Sequence, residues 1–100
     1  MLAYKLVRLR KDGSLAPLFI NRTDTFPIGV WMQAENHPTK GFASRTGFHC
    51  TFTKHAPHLG TVGRVWVRVE VLDWRTYDRP ESQGGKWILA NWMKILEVCE

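Results

Sequence analysis

One hundred residues, 44% hydrophobic and 23% charged, match a single globular domain over 1–100, with room for one core and too little chain for a large enclosed active site. No apolar run reaches the ~20 residues of a membrane helix, and MLAYKLVRLRK intersperses charge where a secretory signal keeps it apart. The net charge of +5 is uneven: residues 1–68 hold ten Lys/Arg against three Asp/Glu, and residues 69–100 hold four against six. A basic face of this kind attracts phosphates or an acidic protein surface, or is simply a solvated surface.

In chain order, Tyr4 to Arg10 alternates as a strand should, and Lys11-Asp12-Gly13-Ser14 is a turn signal. Leu15 to Ile20 then returns, with Pro17 restricting it to an edge or a bulge. These two segments predict a hairpin over 3–20, with strands at 3–10 and 14–20. A third strand is expected at 28–33 and a fourth, rich in aromatic and β-branched residues, at 48–53. Between them lies a long loop, 35–46, of the kind that often carries function. Ala56-Pro57-His58-Leu59-Gly60 has the start and stop residues of one helical turn.

Arg64 to Val71 is the clearest strand, expected over 64–72. Val65, Val67, Val69 and Val71 share one face; Arg64, Trp66, Arg68 and Glu70 share the other. Asp73 to Gly85 reads as a polar connection. The final KWILANWMKILEVCE suits a helix by its apolar spacing, yet a closing strand at 92–98 fits as well. The fold class is therefore α+β: a β-dominated single domain, a twisted antiparallel sheet with an N-terminal hairpin and one or two short helices.

The stretch TGFHCTFTKHAPHLG holds His49, His55 and His58, three of the four histidines, and Cys50. With His37 upstream it invites comparison with a zinc site. His49 and Cys50 are strand neighbours, however, so their side chains leave opposite faces and cannot share an ion without distortion. The same alternation separates Cys50 from His49 as nucleophile and base, and no third orienting group is visible. No metal site and no cofactor is expected. His49 is the least unlikely catalytic residue in a sequence that points to binding rather than catalysis. Cys50 and Cys99 are too few and too far apart for a disulfide framework, which fits a reduced, cytoplasmic setting.

The string GFHCT…APHL…RVWVRVEV…RPESQGGKWILA resembles a group of small uncharacterised bacterial and phage proteins. That resemblance covers most of the chain and implies a phage or prophage setting (the host cytoplasm), with host takeover or defence evasion as the role. The order of Tyr4, then Gly47-Phe48-His49-Cys50-Thr51, then an Ala56-led turn and a long valine strand, is also similar to part of the ADP-ribosyltransferase layout. The chain departs from that layout in lacking an early His-Gly-Thr motif and a Glu-x-Glu context; Glu81-Ser82-Gln83 only loosely stands in.

Three surfaces are candidates. Arg64, Trp66 and Arg68 project together, and guanidinium beside indole suits both phosphate-and-base recognition and protein hot spots. The loop 36–45, with Lys40 and Arg45, could lie with His58 over His49 to form a groove. Arg79 to Gly85 holds a Gly-Gly pair that a tight turn explains. The binding residues expected are thus Arg45, His49, His58, Arg64, Trp66 and Arg68. The expected function is a small binding protein that engages nucleic acid or an acidic protein surface. The alternatives are a minimal ADP-ribosyltransferase-like nucleotide binder or enzyme centred on His49, and a protein inhibitor of a host nuclease.

Overall fold

Alternation along the chain becomes a sheet that curls on itself. The computed structural model describes residues 1–18, 24–34 and 47–99. Its strands are β1 (Leu2–Leu9), β2 (Leu15–Ala16), β3 (Trp31–Gln33), β4 (Phe48–Thr51), β5 (Arg64–Asp78) and β6 (Lys86–Val98). They form one antiparallel six-stranded sheet. Its pairings close a ring: β1 pairs with β5, β5 with β6, β6 with β4, and β4 returns to β1 through Tyr4 and Thr51. The sheet is a small barrel, with β2 beside β1 and β3 beside β6. No α-helix occurs among the described residues; helical structure there is a 3-10 turn at Glu81–Gln83. The class is thus β-dominated, with little to support the α half of the label.

The N-terminal hairpin forms where Asp-Gly placed it. The Asp12 carboxylate accepts from the Ser14 amide at 2.9 Å and from its hydroxyl at 2.6 Å, while Gly13 takes φ 89°. The returning strand is shorter than expected, Leu15–Ala16, because Pro17 cannot donate to the ladder; residues 19–20 lie outside the described residues. The third strand also starts late. Gly29 turns the chain at φ 79°, so Ile28 contributes one bridge to Ile95 and pairing proper begins at Trp31. The fourth ends at Thr51. Residues 56–60 are not a helical turn but one β-turn, closed by the Leu59 amide on the Ala56 carbonyl at 3.0 Å.

Two expectations change in the C-terminal half. The segment read as a polar connection from Asp73 continues as strand to Asp78, paired with β6 throughout. The ambiguous last segment is a strand of 13 residues, not a helix. One distortion explains both misreadings. Asp73 takes φ 50°, its carboxylate accepts from the Asn91 side-chain amide at 3.1 Å, and the ladder skips both residues between Leu72↔Trp92 and Trp74↔Ala90. Alternation changes phase there. The inward residues of β6 are Ile88 and Ala90, then Met93 and Ile95, a spacing that imitates a helical stripe. On β5 the valines point inward up to Val71, whereas beyond it Thr76 and Trp74 sit opposite Ile88 and Ala90.

The interior is filled by Val67, Val69, Val71, Ile88, Met93 and Ile95, all fully buried, with Cys50, Ala3 and Val7 among them. Burial of each large aliphatic side chain stabilises the fold by about 1.5–3 kcal/mol. The weakest seam is β1 against β4, where one backbone pair holds the strands. Lys5 bridges it: its ammonium donates to the His49 carbonyl at 2.8 Å. Desolvation holds this amine below its ordinary pKa. Burial pushes the neighbouring Cys50 thiol up to about 11, so it stays a thiol.

Candidate functional site

The first candidate is the outer face of β1 and β5. Register sets Arg8 opposite Arg64, Leu6 opposite Trp66, and Tyr4 opposite Arg68. Cross-strand partners share a face, so three guanidiniums, an indole and a phenol project together. All five side chains are half-buried. Trp66 is neither sealed in the core nor fully bare. Arg64 donates to the Gly60 carbonyl at 3.0 Å, and the Arg68 Nε lies 3.1 Å from Glu97. That ion pair is open to water on both sides and contributes about 0–1 kcal/mol, so it exchanges readily for another anion. A groove of 530 Å³ beside it is lined by Tyr4, Lys54, Arg68, Glu97, Val98 and Cys99.

The same row of pairs continues round the barrel. Tyr4 faces Thr51, Thr51 faces Trp87, and Trp87 faces Tyr77. It leads to a second cluster at the closed end of the β5–β6 hairpin. His49, on β4, places Nδ1 2.7 Å from the Tyr77 hydroxyl, ring edge toward ring face. The Arg79 guanidinium lies 5.0 Å from the Trp87 ring centre and 5.9 Å from that of Tyr77. Gln83 fixes it from the turn: its side-chain oxygen accepts from Arg79 Nε at 3.0 Å, and its carbonyl from the Trp87 indole at 2.7 Å. The exposed His58 ring meets Trp87 edge-on at 5.7 Å, and its pKa is lowered first by desolvation and then by Arg79.

Glycine makes this turn possible. Gly84 and Gly85 take φ 98° and 76°, and a Cβ at Gly84 would stand 3.0 Å from the His55 carbonyl and 3.1 Å from the Trp87 indole nitrogen. The Gly-Gly pair is thus a tight turn, and the tightness lays Arg79 flat on Trp87.

Among the residues expected to bind, Arg64, Trp66 and Arg68 share one face, and His49 and His58 share the other cluster. Arg45, with loop 36–45 and His37, lies outside the described residues. Cys50 is buried on the face opposite His49, and both cysteines are free thiols. Among the described residues no group of three His, Cys, Asp or Glu side chains could hold a metal ion. No helix among them is long and apolar enough to cross a membrane. Sequence reasoning missed Arg8, Tyr77 and Trp87. Arg8 was recoverable from alternation within β1. Tyr77 and Trp87 were hidden because their segments did not read as paired strands. The chain has no match among protein-family models, curated proteins or solved structures.

Proposed function

We propose that this protein is a small binding module of phage or bacterial origin that holds a nucleic acid strand against the outer face of β1 and β5. One observation carries this reading: Arg8 and Arg64 stand directly opposite each other on adjacent strands, flanked by Trp66 and Tyr4. Like charges in that position repel within the folded chain. A phosphate between them turns that repulsion into attraction, while the neighbouring rings offer stacking platforms. The formal charge of +5 favours the same partner at long range.

The test is the salt dependence of binding to a single-stranded oligonucleotide. Affinity should fall steeply as salt rises, and Arg8→Gln/Arg64→Gln should flatten the slope by roughly two phosphate contacts. An affinity indifferent to salt favours an apolar protein interface, including the surface of a nuclease, and rejects the nucleic acid reading.

A second reading, a nucleotide binder or minimal enzyme of ADP-ribosyltransferase-like layout around His49, has one observation in its favour. The Tyr77 hydroxyl fixes the imidazole at 2.7 Å. It predicts thermal stabilisation by NAD, and no shift at millimolar NAD would remove it.

A further inference from the structure

We infer that Arg79, with His58 beside it, forms a receptor for a phosphate monoester dianion at the closed end of the β5–β6 hairpin. This site is separate from the β1–β5 face and does not depend on that face binding nucleic acid.

The argument begins with how Arg79 is held. Its guanidinium is half-buried and lies over two aromatic rings, Trp87 at 5.0 Å and Tyr77 at 5.9 Å. Its Nε is engaged by Gln83 at 3.0 Å. Those contacts use the flat face and the inner edge. Among the described residues no acceptor meets the two terminal nitrogens, and no carboxylate lies within ion-pair distance of them. A guanidinium with its stem fixed and its outer fork open is pre-organised for bidentate capture of an oxyanion. The usual entropic cost of ordering an arginine on its ligand has already been met by the fold.

His58 extends the site from the other side of Trp87. Its ring is exposed and edge-on to the indole, and it senses the Arg79 charge. Two groups that can both be cationic, converging on one aromatic support with no acid between them, select a dianion over a monoanion. Trp87 is 5% exposed, so the indole supports the fork and is not a platform for an incoming base. The ligand is therefore recognised by its phosphate.

The experiment uses inorganic phosphate, a nucleoside 5′-monophosphate and free phosphoserine, each titrated as the dianion into the isotopically labelled full chain. Amide and indole resonances of Arg79, Gln83, Gly84 and Trp87 should move with at least one of these probes. Arg79→Gln should weaken that binding by about tenfold or more, as expected for a lost charge-assisted pair. Arg79→Lys, which keeps charge without the fork, should fall between, so a poorly folded Gln variant does not leave the question open. Preference for the nucleotide or for phosphoserine identifies the source of the phosphate; either supports the site. Absence of any shift with all three probes overturns the inference. Shifts that persist unchanged in both Arg79 variants overturn it as well.

Discussion

The two basic, aromatic regions of this barrel differ in how their guanidiniums are occupied. On the β1–β5 face the arginines are numerous but engaged: Arg64 with the Gly60 carbonyl, Arg68 with Glu97. At the hairpin end there is one arginine, stacked, braced by Gln83, with its fork open. The first region suits a polyanion that competes with weak internal partners over several contacts. The second suits one small, well-defined anion. Charge and aromatic content alone do not distinguish these two designs; the difference lies in which nitrogens the fold has already used.

Both regions rest on one interior, so the largest effect should erase them together. Ile88→Ala removes a fully buried side chain paired with Cys50 and Thr76. It should cost about 2–5 kcal/mol by denaturant unfolding and lower both binding activities to the same extent. Loss of one activity alone would mean that the two surfaces are not carried by a common core.

The joint between the regions is Asp73. A β-branched residue is strained at φ 50°, so Asp73→Val should destabilise by ~1–2 kcal/mol, and Asp73→Gly by less. Amide exchange should rise around the hairpin end more than around the β1–β5 pairing. Uniform loosening would argue against a phase change confined to this point.

The thiols sharpen the contrast between interior and groove. Cys99, beside the groove, should react with a thiol reagent in the folded chain, whereas Cys50 should react only on unfolding. Cys50 is raised from 9.0 to about 11, so its contribution to stability is complete below pH 9.0 and is lost as pH climbs through about 11. Lys5, lowered by desolvation, has the opposite sign, so the comparison is wild type against Cys50→Ala, in which the alkaline loss should be reduced.

The smallest effect is at His58. Its imidazole should titrate below the ordinary 6.5, and Arg79→Gln should move it upward. The shift is read by NMR of the ring protons; no upward movement would detach His58 from Arg79.

The valine strand and the N-terminal hairpin were legible because their signals are local: period two for one, Asp12-Gly13 for the other. With the strand came the outward trio Arg64, Trp66 and Arg68. Arg8 is where the reading stopped short, since nothing local says that β1 lies beside β5 with Arg8 against Arg64. The hairpin end was illegible for a different reason. The left-handed Asp73 changes the phase of two strands at once, so Trp74 to Asp78 no longer alternates with the valines and residues 88–95 pass for a helix. Tyr77 and Trp87 become partners only after that distortion is known.

The most direct test of the central claim is oligonucleotide affinity measured across a range of salt concentrations, for wild type and for Arg8→Gln/Arg64→Gln. The account predicts a steep linear fall of log affinity with log salt in the wild type, and a slope shallower by roughly two in the double variant. Equal slopes for the two proteins, or a flat line for the wild type, would contradict it.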